Sequence, residues 1–147
     1  MSVETFDADG NAVRNGRLQA GKTYIRRVTV SSSRDLTFVA LRSPIPSGAE
    51  IVDAVFVTSS TTPPSPNDDY EEDDDGWRYY RPGPVQFMMD DEARFHWDFF
   101  SAGKQQVEFR FRAVMLGIYP TPPAAAECMY EEEIFGRSGG ELVRISG

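Results

Sequence analysis

One cysteine, Cys128, and one histidine, His96, are all the thiol and imidazole groups that this chain of 147 residues possesses. A lone thiol closes no internal disulfide, and one of each is too few ligands for a protein-only zinc site. Positive charge is scarce as well: 15 Lys and Arg stand against 23 Asp and Glu, a formal net charge of −8. The basic residues are scattered singly, whereas a phosphate backbone is gripped by a basic stripe, so no nucleic-acid partner is expected. No apolar run approaches the ~20 residues that span a bilayer, so no membrane contact by this domain is expected either. Met1-Ser-Val-Glu has neither the basic start nor the apolar middle of a secretory signal. Recognisable chemistry is missing too. No serine or cysteine is marked by an activating base, and no acid and base stand at a telling spacing. We therefore expect no enzyme, no cofactor and no metal.

No segment carries a helical period. What the chain has is alternation by two, clearest from Arg94 to Gly117. Phe95, Trp97 and Phe99 take the odd positions, with Arg94, His96 and Asp98 between them. After Ser101-Ala-Gly the pattern resumes with Val107, Phe109, Phe111, Ala113 and Met115, separated by Gln106, Glu108, Arg110 and Arg112. A period of two sends aromatics to one face and charges to the other, as in half-buried antiparallel strands. The link containing Gly103 predicts a hairpin.

Other strands are predicted at Val3–Phe6, Thr23–Ser31, Ile51–Val57, Trp77–Arg81, Val85–Met89, Ala124–Tyr130 and Glu141–Ser146. In Thr23–Ser31, Tyr24, Val28 and Val30 share one face. Leu36–Leu41 is apolar almost throughout and is expected to be covered on both sides. Asp7-Ala-Asp-Gly-Asn and Arg14 to Gly21 read as turns, Ile118-Tyr-Pro-Thr-Pro-Pro as an extended crossing, and Glu131 to Gly140 as a loop. Short strands at regular spacing point to one all-β antiparallel sandwich over residues 1–147, of about seven to nine strands. Within it, 58–76 turns from Ser/Thr/Pro-rich to almost wholly acidic and is read as a flexible loop.

Glu71, Asp73, Asp75 and Gly76 imitate the opening of a calcium loop, but Pro82 stands where a bidentate Glu should close it. The match fails. A solvated loop is the better reading, with weak calcium binding of another kind as the alternative. His96 lies on the charged face of its strand and is read as exposed rather than catalytic. Cys128, beside Ala126 and Met129, is read as a small buried residue. Trp77, Tyr79 and Tyr80 are read as packing aromatics, and the alternative they support is a stand-alone carbohydrate- or surface-binding module. Phe135 and Arg137, among glycines, form either a docking tongue or a glycine-rich turn.

The order Phe99-Phe-Ser-Ala-Gly, Phe109 to Ala113, Gly117-Ile-Tyr, Pro122-Pro, Glu127-Cys-Met-Tyr130 and Phe135-Gly-Arg-Ser-Gly-Gly resembles the last macroglobulin-like domain of bacterial alpha-2-macroglobulins. Leu18 to Val30, Arg34-Asp-Leu and Pro46-Ser-Gly-Ala-Glu extend the likeness toward the amino terminus. The resemblance implies an immunoglobulin-like β-sandwich, an excised C-terminal fragment of a periplasmic or cell-envelope protease inhibitor. Its partners would be the other domains of the parent chain and, through the parent, proteases. In thioester-bearing relatives a tyrosine of this domain shields the thioester from water, a role the resemblance carries to Tyr130. Met129, Tyr130, Phe135 and Arg137 are the implied interdomain docking residues. The thioester signature Cys-x-Glu-Gln is absent, since Met-Tyr-Glu follows Cys128, and Glu131-Glu-Glu stands where relatives often carry proline.

Overall fold

The computed structural model describes residues 1–58, 71–72, 78–79 and 84–147. It is an immunoglobulin-like β-sandwich without helices among those residues. One sheet orders β1 (Ser2–Asp7), β3 (Thr23–Ser32), β10 (Gly103–Ala113) and β5 (Ala49–Thr58), all antiparallel. The facing sheet orders β13 (Glu131–Arg137), β12 (Ala125–Cys128), β4 (Leu36–Pro44), β9 (Glu92–Phe100) and β8 (Val85–Met88), also antiparallel. A third holds β11 (Gly117–Thr121), β14 (Glu141–Ser146) and β2 (Arg17–Gln19), with β14 and β2 parallel. A two-residue ladder joins β6 (Glu71–Glu72) to β7 (Arg78–Tyr79). Nine of these strands have at least five residues, in line with the expected number, and the short pieces make up the rest.

The core is the meeting of the aromatic alternations. Phe95, Phe109 and Phe111 are fully buried, and the rings of Phe95 and Phe109 meet 6.3 Å apart across the two sheets. Each such ring contributes about 1.5–3 kcal/mol by leaving water. Tyr24 stacks on Phe111 at 5.8 Å, and Phe100 meets Trp97 edge-on at 5.2 Å.

The predicted hairpin does not form. β9 pairs with β4 and β8, while β10 pairs with β3 and β5, so Ser101-Ala102 carries the chain from one sheet to the other. Period two identifies a strand but not its partner, and here the apolar faces look at each other instead of lying side by side. The Ala102 N–H donates to Asp35 Oδ1 at 2.8 Å, and Gly103 takes φ 107°, comfortable only for glycine. The alternation also slips at the end of β9: Phe100 turns inward and Phe99 is exposed.

Other expectations are corrected in the same way. β4 is covered on one side only, burying Val39, Leu41 and Ser43 while Phe38 faces out. Glu131–Arg137 is strand β13 rather than loop, because β12 offers it a free edge. The turn region 14–21 contains β2, and the crossing at 118–123 begins as β11. The acidic stretch 58–76 lies outside the described residues except for Thr58, Glu71 and Glu72. Trp77 and Tyr80 lie outside them as well, and Tyr79 is described only as part of β7.

Two turns follow their residue chemistry. Asp7 Oδ1 accepts from the Asp9 and Asn11 N–H groups at 3.0 and 2.9 Å, and Gly10 sits at φ 86°. In Pro46-Ser-Gly-Ala-Glu, the Gly48 carbonyl accepts from Val114 and Met115, each at 2.9 Å. A Cβ on Gly48 would collide with the Tyr119 ring, whose hydroxyl reaches the Leu116 carbonyl at 3.0 Å. That collision is why a glycine stands there.

Candidate functional site

β12 and β13 meet in a tight turn at Met129 and Tyr130, where the expected docking residues gather. Tyr130 is 78% exposed and Phe135 69%, values far above those normal for aromatics in a sandwich; Met129 and Arg137 are exposed as well. The turn is held from β4: the Met129 N–H donates to the Phe38 carbonyl at 2.8 Å. The Phe38 ring stands edge-on to Tyr130, centroids 5.1 Å apart. Phe38 adopts φ 55°, a left-handed conformation that costs a bulky side chain on the order of 1–3 kcal/mol. Arg34 pairs with Glu131 at 3.1 Å across the base of the turn, so the acidic Glu131-Glu-Glu start is tied down at its first residue.

Phe38 was not among the residues that the sequence singles out. The signal is there in β4: if Val39 and Leu41 point inward, Phe38 and Ala40 point outward. An aromatic on the solvent side of a strand is the feature to notice.

Strand register extends this patch across the whole outer face of the five-stranded sheet. Phe135 lies in line with Glu127, Ala40, His96 and Val85. Arg137 lies in line with Ala125, Arg42, Arg94 and Phe87. The face therefore alternates rings and guanidinium groups. Arg94 is paired with Glu92, its Nε 2.8 Å from the carboxylate, whereas Arg42 and Arg137 have no ion-pair partner among the described residues. His96 is partly covered, its ring 5.3 Å from that of Phe87. Cys128 is buried behind the turn, and its thiol donates to the Thr37 carbonyl at 3.1 Å. The arrangement is one of recognition: rigid rings, adjustable methionine and unspent positive charge on a flat sheet.

A family model described as the bacterial alpha-2-macroglobulin MG10 domain matches residues 2–133, a span that includes Met129 and Tyr130 and stops short of Phe135 and Arg137. No curated protein matches the chain. Among solved structures, Salmonella alpha-2-macroglobulin reacted with methylamine aligns at 16% identity and TM-score 0.75, over 99% of this chain and 9% of that one. Native Escherichia coli alpha-2-macroglobulin, from domain MG7 to the C-terminus, aligns at 15% identity and TM-score 0.71, over 99% of this chain and 23% of that one. The C-terminal domain of BspA, a Streptococcus agalactiae AgI/II polypeptide, shares the fold at 8% identity and TM-score 0.60, over 97% of this chain and 49% of that one. This chain thus corresponds to a small part of the alpha-2-macroglobulins it resembles. With most of its length under the family model, the chain belongs to the bacterial alpha-2-macroglobulin MG10 domain family.

Proposed function

We propose that the chain is a non-catalytic docking domain of a bacterial alpha-2-macroglobulin-like protease inhibitor in the periplasm or cell envelope. Met129, Tyr130, Phe135 and Arg137 press against a neighbouring domain of the parent. Where that neighbour holds a thioester, the Tyr130 ring keeps water from it. The observation that carries this reading is the solvent-facing Tyr130–Phe38 pair, presented on a strained backbone beside exposed Met129 and Phe135. A sandwich needs none of these side chains outside its core, and burying aromatic anchors is how interfaces gain most of their affinity. Proteases are met through the parent rather than by this surface.

Tyr130→Ala tests it in two settings. In the isolated chain the change leaves unfolding within about 0.5 kcal/mol of the parent sequence, as expected for an exposed side chain. In the full-length protein it loosens the contact with the neighbouring domain. Methylamine consumption, followed as thiol released when the amine opens the thioester, then rises; in a parent lacking Cys-x-Glu-Gln the readout is binding of the chain to the remainder of the molecule. An unchanged full-length protein would refute the assignment.

A further inference from the structure

Away from the docking face, the three sheets converge around a cleft of about 300 Å³. Arg26 of β3, Ser43 of β4 and Thr121 of β11 form its polar wall, and Val3, Pro122 and Ala124 its apolar one. All three polar residues are more than nine-tenths buried, and each holds an atom with no hydrogen-bond partner among the described residues: Arg26 Nε, Ser43 Oγ and Thr121 Oγ1. Buried polar atoms in native proteins are almost always partnered, and an orphan costs about 1–3 kcal/mol. Three orphans lining one cleft are a set of vacant valences, not a scatter of defects.

The rest of Arg26 is fully engaged. Its NH2 group donates to Glu141 Oε1 at 2.8 Å and reaches Thr5 Oγ1 at 3.3 Å, NH1 donates to the Pro44 carbonyl at 3.2 Å, and the guanidinium lies 5.2 Å from the centre of the Phe111 ring. Burial pushes the Arg26 pKa down from its usual value, and Glu141 partly restores it. Charge is therefore already balanced at the cleft. An anion would meet the Glu141 carboxylate and a cation the guanidinium, so neither is favoured. What the wall lacks is one acceptor for the Nε–H and a donor or acceptor for each hydroxyl.

We infer that this cleft is a binding site for an uncharged amide group, whose carbonyl accepts from Arg26 Nε while its N–H and oxygen serve Ser43 and Thr121. The flanking carbons of the amide rest on Val3, Pro122 and Ala124, a wall against which water alone makes poor contacts. The volume, at the small end of ligand clefts, suits a single amide with its substituents. The site does not depend on the docking surface.

Because the Nε–H of Arg26 is buried, its resonance in a nitrogen–proton correlation spectrum of the 147-residue chain reports directly on the cleft. N-methylacetamide is expected to move that signal saturably in the millimolar range, on the order of what so small a ligand can reach. Equal concentrations of acetate and methylammonium leave it in place. Thr121→Val weakens the titration at least tenfold while the melting temperature holds, since the lost hydroxyl had no partner; Ser43→Ala repeats the test if the valine variant does not fold. Acetyl-Gly-Asn-Gly-amide compared with acetyl-Gly-Ala-Gly-amide separates the two sources of the group. Binding of the first alone identifies a side-chain carboxamide, and equal binding a backbone amide. An Nε–H signal that ignores N-methylacetamide, that responds equally to acetate, or that is unaltered in its titration by Thr121→Val overturns the inference and leaves ordered water as the occupant.

Discussion

The two outer faces of the sandwich share one core and could hardly differ more. On the four-stranded sheet the long polar side chains are spent on each other. Arg27 binds Glu108 at 2.7 Å and lies 4.7 Å over the Phe6 ring, Arg112 meets Glu50 at 3.3 Å, and Gln106 donates to Thr29 at 3.3 Å. On the five-stranded sheet Phe38, Phe87 and Phe135 are exposed, and Arg42 and Arg137 carry unpaired charge among the described residues. The first face is complete as it stands. The second holds apolar area and positive charge in a chain whose formal net charge is −8, which sets it apart as the surface with interactions left to make.

The strongest way to stress this contrast is from beneath the complete face. Glu141→Ala removes the carboxylate that compensates Arg26, leaving a buried guanidinium with only neutral partners. Chemical denaturation of the isolated chain should show a loss of about 2–3 kcal/mol, below the full cost of a severed buried pair because Glu141 is itself partly exposed. A loss under 0.5 kcal/mol would mean that the cation is hydrated through the cleft and that the inner polar cluster is not structural. On the other face, Phe135→Asp should leave stability nearly untouched yet weaken association with the parent's remaining domains by tenfold or more, the size of effect expected for an aromatic anchor. Equal association would erase the functional half of the contrast.

A smaller effect sharpens the comparison. Glu108→Ala breaks the cross-strand pair with Arg27, worth roughly 0.2–1 kcal/mol in a half-covered setting, and the loss should shrink as salt is raised. Docking should not respond. If it does, the four-stranded face is also an interface, and the two sheets are less distinct than their side chains suggest.

Which of these features are written in the sequence depends on how local they are. The alternation at Phe95, Trp97, Val107, Phe109 and Phe111 locates the core because burial repeats every two residues within one strand. The partner of each strand is not written there, so β9 and β10 look like a hairpin although they belong to opposite sheets. Arg26 shares the parity of Tyr24 and Val28, which places it inside, but its neutralising partner Glu141 lies 115 positions away. Tyr130 and Phe135 stand out through resemblance and glycine context. Phe38 escapes notice because its φ of 55° and its contact with Tyr130 are properties of the assembled turn. The cleft at Ser43 and Thr121 is equally invisible, since it exists only where three sheets fail to close upon one another.

The least perturbing substitution gives the finest discrimination. Phe38→Gly relieves a left-handed conformation costing on the order of 1–3 kcal/mol, forfeits a ring contact worth roughly 0.5–1.5 kcal/mol, and adds about 0.5–1 kcal/mol of unfolded-chain entropy. These terms nearly cancel, so the isolated chain should stay within about 1 kcal/mol of its original stability. Thr29→Gly, at an outward position of β3 with no strain to release, should cost at least that much. Association of the Phe38 variant with the parent's other domains should nonetheless fall, because the ring that props Tyr130 is gone. Were Phe38→Gly instead to cost more than about 2 kcal/mol, the exposed pair would be holding the β12–β13 turn together for its own sake, and the strain at Phe38 would have a structural rather than a recognition purpose.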